Sequence, residues 1–122
     1  MSQQTVTKID ALKEVIVKGI QEIKGQNITI LDLRNIENAS TSFFIICEAT
    51  SNTQVSAIVG SIEKMCLELL DEKPWHVEGE REAEWVLMDF VNMVVHVFQK
   101  DIREHYNLEE LWGDAVFEKI DD

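Results

Sequence analysis

A chain of 122 residues with 45% apolar side chains is the size of one ordinary domain and carries enough hydrocarbon for one packed core. Its 23 acidic against 11 basic residues give a formal net charge of −12, which argues against a protein that grips nucleic-acid phosphates as its main contact, because such a surface must be basic to release counterions. The start has no secretory-signal pattern and no apolar run reaches the roughly 18 residues needed to span a bilayer, so a soluble, cytoplasmic protein with no membrane contact is expected.

The first predicted element is a helix from about Val6 to Lys24. Ile9, Leu12, Ile16, Ile20 and Ile23 recur at steps of three and four and so share one face. Thr7 with Asp10 has the form of a capping box, and Gly25 stands where a C-terminal cap belongs. Ile28 to Leu33 reads as a strand from its β-branched, alternating residues. The continuous apolar run Phe43-Phe44-Ile45-Ile46-Cys47 predicts a central strand covered on both faces. Ser51 or Asn52 then opens a second helix, with Gln54 placed to complete a capping box. Its stripe of Val55, Ile58, Val59, Ile62, Met65, Cys66 and Leu69 faces the core.

Pro74 to Glu78 is a short strand, and Gly79 to Ala83 turns the chain. Trp85–Phe90 and Met93–Gln99 are two further strands, separated only by Val91-Asn92, which is hairpin spacing. Two short helical pieces, Asp101–Tyr106 and Asn107–Trp112, follow. The order α-β-β-α-β-β-β-α predicts a single α/β domain of the α+β kind, with a mixed sheet of about five strands flanked by helices.

Little in the chain reads as chemistry. Cys47 and Cys66 lie in apolar segments without metal-ligand spacing and read as buried, reduced thiols. There is no phosphate-cradling loop and no dinucleotide fingerprint. Asp32 and Asp89 end separate strands without an acidic neighbour two residues away, so the carboxylate pair that two-metal chemistry needs is missing. His76 and Glu78 share a strand face and read as a solvated pair rather than metal ligands. His96, inside an apolar strand, reads as a buried, hydrogen-bonded histidine rather than a general base. No catalytic residue, metal or cofactor is expected. Trp85, Phe90, Phe98, Tyr106 and Trp112 crowd the C-terminal third beside Glu80, Glu84 and Asp89. They either complete the core or form aromatic anchors with an acidic rim, suited to docking on a basic protein.

The same third carries a resemblance. Val77-Glu78-Gly79-Glu80 followed by Trp85 to Phe90, the strand Val94-Val95-His96-Val97-Phe98, and Arg103, Tyr106, Leu108-Glu109 and Leu111-Trp112-Gly113 resemble, in order, segments of the Iojap-like family of ribosomal silencing factors. Ser42 to Cys47 and Ser51 to Val55 are similar to two earlier elements of that family, and the likeness covers about residues 7–115. One departure is Val91-Asn92, where the family commonly has Gly-Asp; Asn92 is the residue expected to take any left-handed position there. The resemblance implies a nucleotidyltransferase-like topology without the catalytic carboxylates, and a non-enzymatic homodimer. It also implies a protein that binds ribosomal protein L-fourteen on the large ribosomal subunit, blocks joining of the small subunit and represses translation under nutrient limitation. Carried over by motif, the partner-binding residues are Trp85, Asp89, Phe90 and Phe98, with Tyr106 and Trp112 either joining them or locking the C-terminal turns onto the sheet. The alternatives are a large-subunit assembly factor and a residual nucleotide-handling enzyme.

Overall fold

The computed structural model describes residues 7–121, so the predicted helix start at Val6 lies outside the described residues. Helix α1 spans Lys8–Glu22 and begins with the expected capping box: Thr7 Oγ1 accepts the Asp10 N–H at 3.1 Å, and the Asp10 carboxylate accepts the Thr7 N–H at 3.4 Å. It ends differently from expectation. Lys24, not Gly25, takes the left-handed position with φ 61°. The N–H of Lys24 donates to Gln21 O and that of Gly25 to Ile20 O, both at 2.9 Å, which satisfies two of the last helical carbonyls. Gly25 is required by packing instead, since a Cβ there would stand 2.4 Å from Ile20 Cγ2.

Helix α2 spans Asn52–Leu70, with Ser51 Oγ accepting the Gln54 N–H at 3.1 Å. The Gln54 side chain does not close the box. It accepts the Thr50 N–H and donates to Ile23 O, each at 3.1 Å, tying the start of α2 to the end of α1.

Among the described residues six strands make one sheet: β1 Gln26–Asp32, β2 Phe43–Ala49, β3 His76–Glu78, β4 Trp85–Asp89, β5 Met93–Gln99 and β6 Val116–Lys119, in the spatial order β3-β4-β5-β2-β1-β6. Only β2 and β5 run parallel; the other neighbours are antiparallel. The mixed α/β architecture is the expected one, with a strand more than the five anticipated. β6 escaped notice because Val-Phe-Glu-Lys carries no burial pattern and all four residues are exposed. The strand exists because β1 needs an outer partner, with Leu31 opposite Phe117 and Ile120 packed against the core.

The sheet buries both faces at its centre. On one, α1 and α2 press Ile16, Ile20, Ile58 and Ile62 against Val86, Met88, Val95 and Val97. On the other, α3 (Lys100–Tyr106) and α4 (Leu108–Leu111) cover Leu31, Leu33, Ile46 and Phe98. These helices are too short to reach the β3–β4 end, and there Trp85, Leu87 and Asp89 remain half-exposed.

The β4–β5 turn is strained. Val91 has φ 76°, and Asn92 donates its N–H back to Phe90 O at 3.0 Å, closing a γ-turn on a β-branched residue. Asn92 is therefore not the left-handed residue. The reason is a set of outside clamps. Asp89 Oδ1 accepts the Val91 N–H at 2.7 Å, Thr41 Oγ1 donates to Val91 O at 3.2 Å, and Ser42 and Phe43 both donate N–H to Asn92 O. Val91→Gly is expected to raise stability by roughly 0.5–1 kcal/mol, the relief of left-handed strain less the entropy of glycine. A urea midpoint equal to or below that of the native chain would show the turn to be unstrained.

Candidate functional site

Alternation along β4 decides which aromatic residues can meet a partner. Trp85, Leu87 and Asp89 project from the face that α3 and α4 leave partly open, while Val86, Met88 and Phe90 point to the α1–α2 side. Phe90 is 8% exposed and packs in that first core. Its assignment to the docking surface is thereby corrected: a residue one step from Asp89 on a strand faces the other way. Phe98 shares the face of Trp85 but is fully buried beneath it, with the two rings stacked at 5.0 Å and 25°. It too is corrected, from a contacting residue to the floor on which Trp85 rests.

The structure therefore brings together Trp85 and Asp89 on one face and adds Tyr106. Tyr106 is 52% exposed, and its ring lies 4.7 Å from that of Trp85. Trp112 behaves differently, standing edge-on to Phe44 at 5.6 Å and fastening the end of α4 to the sheet. Trp75, which sequence reasoning left as an ordinary strand residue, is 80% exposed and hydrogen-bonded through its backbone to Asp89 O at 2.7 Å. The sequence reading places it inside the strand Pro74 to Glu78, whereas the observed strand begins at His76 and leaves Trp75 ahead of it.

The face is acidic at its edges. Glu84, Asp101 and Glu104 are exposed on the segments that carry Trp85 and Tyr106, with Lys100 among them, and Glu78 is exposed on β3 paired with His76 at 3.2 Å. Asp32, the other strand-end carboxylate, is occupied: Arg34 grips it through two bonds of 3.0 and 2.7 Å, which hold its carboxyl below the usual range. Among the described residues no three His, Cys, Asp or Glu side chains converge as metal ligands. No described helix is long and apolar enough to cross a membrane. Cys47 and Cys66 are buried and unpaired, and burial pushes their thiols up to about 12 and about 11.

His96 is buried and hydrogen-bonded, as the sequence suggests. Its Nδ1 accepts the Trp85 indole N–H at 3.0 Å, and burial pulls its pKa down to about 4. An unfolded histidine titrates near 6.5. Below that pH the unfolded chain takes up a proton that the folded one refuses, so this group costs stability as pH falls from about 6.5 to about 4, by roughly 3 kcal/mol at most. Stability curves from pH 7 to 4 should fall less steeply for His96→Leu than for the native protein; parallel curves would contradict the shift.

The family model described as "Ribosomal silencing factor during starvation" matches residues 6–122. The chain is 38% identical to the ribosomal silencing factor of Bacillus subtilis, over 99% of this chain and 96% of that protein. It is 39% identical to the one from Halalkalibacterium halodurans, over 85% and 87%. A crystal structure of a protein from Chromobacterium violaceum superposes with a TM-score of 0.81 at 30% identity, covering 88% of each chain.

Proposed function

Because the chain belongs to the ribosomal silencing factor family, we propose that it docks on the large ribosomal subunit through ribosomal protein L-fourteen, keeps the small subunit from joining and damps translation when nutrients run short. The observation that carries this reading is the open end of the second sheet face. There an aromatic pair, Trp85 and Tyr106, is held at a half-exposed surface with Asp89 on the same face and acidic residues at its edge. A chain of net charge −12 is repelled by ribosomal RNA. A basic ribosomal protein is the component it can approach, with a carboxylate such as Asp89 meeting a cationic side chain and the rings filling apolar depressions.

The protein acts in this reading as a cytoplasmic homodimer when free. The exposed outer edge of β6, with Val116 61% and Phe117 40% exposed, supports self-association, since an uncovered strand edge is a template for pairing. The deciding experiment is light scattering of subunit joining, with the chain added to purified large subunits before the small subunits. Suppressed joining is the expected result. Binding to large subunits with normal joining would replace this reading by an assembly role, and no binding would end both.

A further inference from the structure

The single polar atom of the Trp85 side chain is spent inside the protein, on His96 Nδ1 at 3.0 Å. His96 is 3% exposed, and its neighbours across the sheet are Ile46 and Leu87. Because Nδ1 accepts, the proton of the neutral ring sits on Nε2, and Nε2 is buried without a hydrogen-bond partner among the described residues. A leucine would fill this slot and leave no orphaned donor. The histidine is held between rings, edge-on to Phe44 at 4.5 Å and parallel to Phe98 within 15°. Among the described residues, the one hydrogen bond this costly side chain makes is that to Trp85.

We infer that His96 is a positioning residue for the docking surface: it takes up the indole N–H and so fixes the Trp85 ring with its polar edge turned inward. The inference rests on the reading of Trp85 as a docking anchor and adds the chemistry of what meets it. With its N–H engaged, Trp85 offers a partner ring carbon and a π-face but no donor. Its complement is therefore the aliphatic stem and cationic head of a lysine or arginine, not a hydrogen-bond acceptor. Stacking on Phe98 below and contact with Tyr106 beside it hold the ring in place before any partner arrives, so little side-chain freedom is lost on docking.

Two measurements on the full chain test this. Three indole N–H signals are expected in nitrogen-edited NMR, from Trp75, Trp85 and Trp112, with that of Trp85 identified by its loss in Trp85→Phe. Its exchange with solvent should be about tenfold or more slower than that of Trp75. It should stay slow in His96→Gln, which keeps an acceptor, and become fast in His96→Leu, or in His96→Phe should the leucine form not fold. Sedimentation with purified large subunits should give His96→Gln an affinity within about threefold of native and the apolar variant a loss of about tenfold or more. Fast exchange of the Trp85 indole in the native chain overturns the inference. So does native-like docking of the apolar variant while Trp85→Ala fails to dock, an outcome that leaves the proposed function standing. Native-like docking by Trp85→Ala would overturn the docking surface itself, and the inference with it.

Discussion

Methionine in place of Arg103 is expected to remove about 3–5 kcal/mol of folding stability, the loss seen when one partner of a buried ion pair is deleted. Arg103 is 7% exposed and is the hub of a polar network under α3. Its Nη1 donates to Glu48 Oε1 at 3.1 Å and to Asn27 O at 2.7 Å, its Nη2 to Thr29 Oγ1 at 3.2 Å and Glu109 Oε2 at 2.7 Å, and its Nε to Glu109 again. The carbonyl of Asn27 is available because β1 bulges there, with the register shifting between Gln26 and Thr29 and Asn27 at φ 50°. Without the guanidinium, Glu48 at 5% exposure keeps only the Asn27 side-chain donor at 2.9 Å for a charge shut away from water. The test is urea denaturation of Arg103→Met beside the double variant Arg103→Met/Glu48→Leu. The double variant should recover most of the loss, because it removes the stranded charge. A single-variant loss below about 1 kcal/mol would mean that water reaches Glu48 and that the network is no more than a surface ion pair.

Trp85→Ala is expected to weaken docking on large subunits by about 2–4 kcal/mol, or roughly 30- to 1,000-fold, the range of a central aromatic anchor. The same truncation leaves His96 Nδ1 without its donor and uncovers Phe98, so some folding stability goes with it. The two effects separate by measurement. Joining is followed by light scattering at a temperature where the variant is folded, and stability by its urea midpoint. Tyr106→Ala, at the edge of the same pair, should lose less. A folded Trp85→Ala that suppresses joining as well as the native chain would remove this face from the docking surface.

Periodicity revealed much of this molecule. The spacing of Ile9 to Ile23 and of Val55 to Leu69 marked the two long helices, and the unbroken apolar run at 43–47 marked the central strand, because burial on one or both faces writes itself into consecutive residues. The corrections share a different cause. Whether Lys24 or Gly25, and Val91 or Asn92, carries the positive φ was settled by hydrogen-bond partners and by the space around Gly25, which the local sequence does not contain. The burial of Phe98 depends on α3 and on Trp85 lying over it, so its residue type alone could not separate a floor from a surface. Arg103 was visible only as a letter in a motif; its partners Glu48, Thr29 and Asn27 come from the other half of the chain. Of the proposed docking face, Trp85 and Asp89 could be named from sequence. Strand alternation puts those two on one face and Phe90 on the other, while which of the faces stays open required knowing which side the long helices cover.

The pairing of β1 with β6 also imposes an order on the birth of the molecule. A nascent chain emerges from its amino end, and β1 finds β2 soon after both exist. Its outer margin must wait for Val116 to Lys119. Throughout that interval the backbone groups of Ile28 and Ile30 that point away from β2 lack their partners on β6, the kind of margin on which other chains stack. β6 thus closes that margin of β1 and moves the open edge of the sheet one strand outward, to where Val116 and Phe117 stand exposed beside Glu118 and Lys119.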